Sequence, residues 1–136
     1  MYKNIETLLV KIPTIRPHKM AVATMHTQTL VLVKVTTDDG VVGWGEATTI
    51  GGLGYGEESP ESIKTNIESY FAPLMRSLPA GNLAQTLHAI KKNIQGNRFA
   101  KCAIQTALLD IHAQRLGLPL SEVLGGRLRN SVPVLW

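Results

Sequence analysis

The 136 residues of this chain, of which 44% are hydrophobic and 18% charged, can bury one ordinary core and are too apolar for a disordered protein. The net charge of +4 comes from scattered basic residues with no run longer than Lys91-Lys92, which excludes a nucleic-acid-binding footprint. No apolar run approaches the roughly 18 residues of a membrane-spanning helix. The N-terminus carries Glu6 and Lys11 and lacks a signal-peptide cleavage site. We therefore expect one cytoplasmic domain with neither a nucleic-acid nor a membrane partner.

Three segments in the first third of the chain have the pattern of β-strands. Residues 4–12 form an apolar run that ends at Pro13. Residues 28–37 alternate with a period of two, which is typical of a strand whose faces meet different surroundings. Asp38-Asp39-Gly40 has the composition of a tight turn, and the alternation resumes over residues 41–47. The alternating strand carries on one face Val31, Val33 and Val35, and on the other Leu30, Leu32 and Lys34.

Two segments have neither strand nor helix periodicity. Residues 13–27 contain two prolines, and residues 48–58 contain four glycines between Gly51 and Gly56. These glycines do not form a GxGxxG pattern, and no Lys-Ser/Thr follows them, so a phosphate-binding loop is excluded. Loops of this length in a compact domain are usually functional or disordered. We predict that both segments are loops.

The rest of the chain is predicted to be helical. Ser59 and Pro60 suit the start of a helix, and Pro73 is expected to end or kink it. The apolar face of this helix is formed by Ile63, Ile67, Tyr70, Phe71 and Leu74. The predicted helices cover residues 60–77, 83–95 and 98–116, with a short turn of helix over 119–124. Strands followed by helices indicate an α+β fold, in which a helical bundle packs on one face of a three-stranded antiparallel meander.

Few side chains outside the two loops have a pattern that indicates chemistry. The single Cys102 excludes an internal disulfide, and its Ala-rich helical surroundings favour a small buried hydrophobe over a catalytic thiol. His26, His88 and His112 do not have the spacing of metal ligands.

The segment from Ala100 to Gly126, AKCAIQTALLDIHAQRLGLPLSEVLGG, is long enough to compare with known families. It resembles the N-terminal signature of the mandelate racemase and muconate-lactonizing group of the enolase superfamily. Considered as packing, Ala103 and Ala107 form a stripe of small residues that would let this helix approach another element closely.

Two further stretches, residues 13–20 and 45–61, are similar to those of the muconate cycloisomerase family, and the resemblance extends from Ile5 to Trp136. It implies that the loops at 13–27 and 48–58 close over the mouth of a (β/α)-barrel. The chain would then be an N-terminal substrate-capping domain over residues 1–126. Residues 127–136 would be a linker and the start of the first barrel strand, within which the chain is cut off.

The resemblance also assigns residues to substrate binding. It places Ile50 and Tyr55 at positions that line the substrate pocket and distinguish muconate from chloromuconate. It places His18 and Lys19 on the other loop, where a cation could face a dicarboxylate. Each has an alternative without function: a loop anchor for Ile50, a surface aromatic for Tyr55, and a solvated loop edge for His18 and Lys19.

For the full-length protein, the resemblance implies an isomerase that interconverts cis,cis-muconate and muconolactone in catechol catabolism. The family uses Mn²⁺ or Mg²⁺ held by three carboxylates, together with a lysine pair, all expected outside this chain. We therefore expect no catalytic residue and no metal ligand within it, structural roles for Glu46 and Asp110, and no activity of the chain alone. The expected partners are a small dicarboxylate substrate, the missing barrel domain and further copies of the protein, since the family often forms octamers.

Three alternatives remain open at this point. The full-length protein could be a chloromuconate cycloisomerase or another member of the enolase superfamily. The chain could also be a free-standing module that binds a small anion through its two loops, or an oligomerisation unit.

Overall fold

The computed structural model describes residues 1–21 and 23–134 of the chain. Its three strands are β1 (Tyr2–Lys19), β2 (Thr24–Thr37) and β3 (Val42–Thr48). They form one antiparallel sheet in the order β1-β2-β3, with β2 in the centre. The helices follow the strands in sequence, which confirms the predicted α+β fold class.

The prediction of a loop over residues 13–27 is wrong for most of its length. β1 is 18 residues long and β2 is 14, so the two strands extend as a hairpin arm well beyond the predicted boundaries. Pro13 pairs with Thr27, and the register resumes only at His18 with Met25, which leaves residues 14–17 as a bulge in β1. Because β1 is an edge strand, its prolines remove no hydrogen bond from a central ladder. Val22, within the predicted loop, lies outside the described residues.

The hairpin between β2 and β3 confirms the predicted turn. Gly40 has φ of +84°, a left-handed conformation that glycine adopts without a steric penalty. The backbone N–H of Thr37 donates a hydrogen bond to the carbonyl oxygen of Val41 across the turn, at 3.0 Å. The predicted alternation along β2 is also confirmed, since its buried face carries Val31, Val33 and Val35, each fully buried.

The predicted single helix over residues 60–77 is instead three consecutive segments. These are α1 (Pro60–Asn66), a π-helical segment (Ile67–Phe71) and α2 (Ala72–Arg76). Ser59 caps α1 as predicted, because its side chain and that of Ser62 each accept a hydrogen bond from the other's backbone N–H. In the π segment, the N–H of Ala72 reaches back to the carbonyl of Ile67. This wide turn lies immediately before Pro73, which lacks an N–H and would crowd a regular helix.

The wide turn also changes which side chains face the core. Ile63, Ile67 and Phe71 are fully buried, whereas Tyr70 is 64% exposed. The expectation that Tyr70 belongs to the apolar face is therefore wrong, because it assumed regular α-helical spacing through residue 70.

Three further helices complete the fold: α3 (Leu83–Asn93), α4 (Arg98–Leu116) and α5 (Leu120–Val123). The predicted starts at residues 83 and 98 are confirmed, and α4 ends at Leu116, followed by Gly117 with a φ of +65°. Residues 127–134 form neither helix nor strand. Leu135 and Trp136, where a first barrel strand was expected to continue, lie outside the described residues.

Helix α4 packs directly on β3, and small residues make this possible. A methyl group added at Gly45 would lie 1.9 Å from the carbonyl oxygen of Ala103, and one added at Gly43 would lie 2.2 Å from that of Ala107. The predicted small-residue stripe on α4 is confirmed, since Ala103 and Ala107 are fully buried. The expectation that Cys102 is buried is wrong, because the residue beside Ala103 faces outward from this contact and its thiol is exposed.

Candidate functional site

The segment that joins β3 to α1, residues 49–59, forms a compact glycine-rich loop. Gly51 and Gly52 have φ values of +63° and +65°, and both accept this left-handed conformation because they have no Cβ. The N–H of Gly54 donates to the carbonyl of Gly51 at 3.2 Å, which closes a tight turn. The prediction of a loop over residues 48–58 is confirmed except at Thr48, the last residue of β3.

Ile50 and Tyr55 come together on one side of this loop. They are 40% and 55% exposed, and both line a cavity of about 190 Å³ that Phe99 of α4 also lines. The other residues of this cavity wall are Thr48, Thr49 and Gly56. Large apolar groups that remain half exposed in a concave surface can contact a ligand.

Both ends of the loop are fixed by hydrogen bonds to neighbouring elements. At the start, the side-chain amide of Gln28 in β2 donates to the carbonyl oxygen of Thr49 at 2.6 Å. At the end, the carboxylate of Glu58 accepts hydrogen bonds from the backbone N–H groups of Phe99 and Ala100, at 2.6 and 3.2 Å. Glu58 is only 3% exposed, so these are buried contacts. The loop is therefore held at two points, one on the sheet and one on α4.

The hairpin arm meets the loop at a second, larger cavity of about 400 Å³. Residues 23–29 of the arm line one side. Thr49, Gly51 and Gly52 of the loop, with Pro60 and Glu61 at the start of α1, line the other. Backbone N–H and the Ser59 side chain hydrogen-bond the Glu61 carboxylate and lower its pKa, so this wall carries a negative charge at neutral pH. The two segments singled out from the sequence thus lie side by side in the fold.

His18 and Lys19 lie near the tip of the arm. They pair with Met25 and Thr24 across the hairpin, and both side chains are exposed. Neither is among the residues that line the two cavities. Within the described part of the chain, the fold therefore joins Ile50 with Tyr55 but does not place His18 or Lys19 beside them.

Glu46 and Asp110 have structural contacts. One oxygen of Asp110 accepts a hydrogen bond from the backbone N–H of Trp44 at 2.9 Å, and this links α4 to β3. Glu46 accepts one from the hydroxyl of Thr48 at 2.8 Å. Over residues 1–21 and 23–134, no three His, Cys, Asp or Glu side chains cluster as a metal site would require. None of the helices in these residues has the length and apolar composition of a membrane-spanning segment.

Sequence reasoning missed Glu58 and Phe99 as parts of this site. Both belong to it through contacts between residues more than 40 positions apart in the chain, which no local pattern indicates. The sequence was misleading here, because Asn97 is a residue type that usually caps a helix, but in the structure it has a left-handed conformation and makes no side-chain cap. The free N–H groups of that helix therefore need an acceptor from elsewhere in the fold.

Comparison with known proteins identifies close relatives along the whole chain. The family model for the N-terminal domain of mandelate racemase / muconate lactonizing enzyme matches residues 4–125. Muconate cycloisomerase 1 of Acinetobacter baylyi is 69% identical over 100% of this chain and 37% of its own length. A chloromuconate cycloisomerase of Cupriavidus pinatubonensis is 39% identical over 97% of this chain and 35% of its own length.

A solved structure matches the fold closely. The crystal structure of a muconate lactonizing enzyme from Pseudomonas fluorescens, complexed with muconolactone, has a TM-score of 0.93 and 53% sequence identity to this chain. The match covers 98% of this chain and 36% of that one. The chain therefore spans little more than a third of the length of these relatives.

Proposed function

This chain belongs to the mandelate racemase / muconate lactonizing enzyme N-terminal domain family, and on that premise we propose that it is the substrate-capping domain of a muconate cycloisomerase. The observation that carries the proposal is the 69% identity to a muconate cycloisomerase along the entire chain, including both segments that border the cavities. The 39% identity to a chloromuconate cycloisomerase makes that activity the second candidate.

The full-length enzyme would interconvert cis,cis-muconate and muconolactone. In the forward direction, a carboxylate oxygen of the substrate adds to a carbon of its own double bond, and a proton is delivered to the neighbouring carbon. Substrate and product are isomers, so no co-substrate is consumed. The contribution of this domain would be to bind, orient and shield the substrate from water, which is how capping loops assist catalysis.

Ile50 and Tyr55 are the residues that we assign to substrate selection. They share one cavity wall, they are half exposed, and neither is suited to removing a proton from carbon at neutral pH. We further propose that His18 and Lys19 lie near the carboxylates of the substrate when the barrel is present. Their exposure at the tip of the arm leaves both side chains accessible to such a contact.

The family is expected to use a divalent metal ion, Mn²⁺ or Mg²⁺. The described residues do not fit such an ion, because no three potential ligands cluster among them. We therefore place the metal ligands, and the acid and base, in the part of the full-length protein outside residues 1–136. We also propose a cytoplasmic location, a contact between this domain and a barrel domain, and assembly of several copies.

The test is a direct assay of the full-length protein. Purified protein is incubated with cis,cis-muconate and either Mn²⁺ or Mg²⁺, and the product is identified by NMR. We expect muconolactone from the full-length protein and no turnover by residues 1–136 alone. Failure to convert muconate, together with turnover of a chlorinated muconate, would move the assignment to the second candidate. Failure on both would reject it.

A further inference from the structure

We propose that Glu58 is a positioning residue for substrate selection, because it fixes the loop that carries Ile50 and Tyr55 to the start of α4. The inference rests on the proposed function, since it assumes that these two side chains contact the substrate. Glu58 itself touches no substrate in this proposal. It acts through the position of the loop.

The contacts of Glu58 join two elements that are distant in sequence. One carboxylate oxygen accepts a hydrogen bond from the N–H of Phe99, and the other accepts one from the N–H of Ala100. These N–H groups belong to the first turn of α4, where backbone donors have no partner within the helix. A carboxylate at this position also interacts favourably with the helix dipole. With the side chain 97% buried, the hydrogen bonds are shielded from competing water.

The second contact between loop and helix is at Gly56, the residue that follows Tyr55. A methyl group on Gly56 would be 2.5 Å from the ring of Phe99, so the loop backbone rests against this ring. Phe99 in turn lines the cavity together with Ile50 and Tyr55. A shift of the loop away from α4 would therefore change the shape of that cavity directly.

Between its two anchors, the loop is rich in glycine. Along the chain, glycines separate Thr49, which accepts the hydrogen bond from Gln28, from Glu58. Among them are Gly51, Gly52 and Gly54. Glycine has the largest conformational freedom of any residue, so this segment has a high entropy once an anchor is lost. The buried carboxylate thus limits the number of positions that Ile50 and Tyr55 can occupy.

The test compares Glu58→Gln with Asp110→Asn in the full-length protein. Both changes remove the charge from a carboxylate that accepts a backbone N–H, but Asp110 joins α4 to Trp44 and does not touch the loop. Three quantities are measured for each: thermal stability, amide hydrogen exchange of residues 50–57, and kcat and KM on muconate and a chlorinated muconate.

We expect both variants to lose stability, and only Glu58→Gln to change the loop. In that variant, exchange of the loop amides should rise about tenfold, in line with the loss of one hydrogen bond to a charged group. The ratio of kcat/KM between the two substrates should shift by a factor of about three or more, mainly through KM. We expect Asp110→Asn to keep the wild-type ratio of kcat/KM and the wild-type amide exchange of the loop. If Glu58→Gln keeps both as well, the positioning role is refuted.

Two further comparisons keep the result interpretable. If Glu58→Gln does not fold, Glu58→Asp replaces it, because this change keeps the charge but shortens the side chain that reaches the N–H groups of Phe99 and Ala100. The same shifts in loop exchange and substrate ratio are then required. If the wild-type protein turns over neither substrate, the proposed function fails, and hydrogen exchange alone still shows whether Glu58 holds the loop.

Discussion

The carbonyl oxygen of Ala103 occupies the place that a side chain on Gly45 would need. A Cβ at residue 45 would lie 1.9 Å from this oxygen, well inside any permitted contact. Because the obstacle is backbone of a long helix, no rotation of a side chain can relieve it. The distance between α4 and β3 is therefore set by the absence of a side chain at residue 45.

We predict that Gly45→Ala destabilises the protein by about 1–3 kcal/mol or more, since overpacking forces the backbone to shift. Denaturant unfolding followed by circular dichroism measures the change. Gly81→Ala is the matched control, because a methyl group there meets no atom within 4 Å and the φ of Gly81 is not left-handed. Equal stability of the two variants would contradict the packing account.

A second prediction concerns the acid stability of the pair formed by Asp39 and Arg115. The hydroxyl of Thr37 and the guanidinium of Arg115 both donate to the carboxylate of Asp39 and lower its pKa from the ordinary value of 3.8. A group with a lowered pKa in the folded state contributes stability above its unfolded pKa and loses it as the pH falls through the folded pKa.

Wild type should accordingly be more stable than Asp39→Asn at pH 7, and the difference should shrink as the pH falls below about 4. Urea unfolding at several pH values between 2.5 and 7 measures this convergence. Because the pair is solvent exposed, the difference at pH 7 should be small and should decrease in high salt. A difference that grows on acidification would show that the carboxylate is not stabilised in the folded state.

The third prediction tests the substrate-selecting residues in the full-length protein. Ile50→Val and Tyr55→Trp should change the ratio of kcat/KM between muconate and chlorinated muconates by about tenfold, since a methylene-sized change in an apolar pocket is worth roughly 1–3 kcal/mol. Leu53→Val is the control, because Leu53 lies on the same loop and outside the cavity wall. An equal loss of activity on every substrate would instead place these residues in the chemistry.

The fourth prediction tests the cation at the tip of the arm. Lys19→Ala should raise KM for the dicarboxylate up to about fivefold and leave kcat nearly unchanged, since an exposed ion pair contributes roughly 0.2–1 kcal/mol. His18→Ala tests the neighbouring exposed side chain of the arm in the same assay. Lys3→Ala, near the opposite end of β1, serves as the control. If Lys19→Ala has the same KM as the wild type, Lys19 is a solvated residue at the edge of the loop and does not bind the substrate.

The fifth prediction is that residues 1–136 alone do not bind Mg²⁺ or Mn²⁺ tightly. The reason is that, among the described residues, no three His, Cys, Asp or Glu side chains lie close enough together to hold a metal ion. Isothermal titration calorimetry of the chain with each ion is the measurement. Stoichiometric binding in the micromolar range would require a metal site within this domain.

The parts of the fold that follow local patterns were predictable from the sequence. The alternation of Val31, Val33 and Val35 identified the buried face of β2, and the serine before Pro60 marked the start of α1. Pro13 and Pro17 were misleading, because nothing local shows that a strand lies at the edge of a sheet. The π segment before Pro73 was likewise hidden, since sequence spacing assumes a regular helix.

The candidate site was predictable only in part for the same reason. The glycines between residues 51 and 56 indicated a loop, and the family resemblance indicated Ile50 and Tyr55. The bond from Glu58 to the N–H of Phe99 spans 41 residues and depends on how the helices pack on the sheet. Such a contact is a property of the tertiary structure and leaves no periodic signature in the sequence.

The hairpin arm has a consequence for how this domain can vary among relatives. Among the described residues, no hydrophobic side chain between Ile5 and Val31 belongs to the buried core. Substitutions, insertions and deletions toward the tip of the arm would therefore alter its outer surface and leave the packing beneath the helices intact. Evolution can remodel the arm for a new ligand or neighbour while the stability of the domain stays nearly constant.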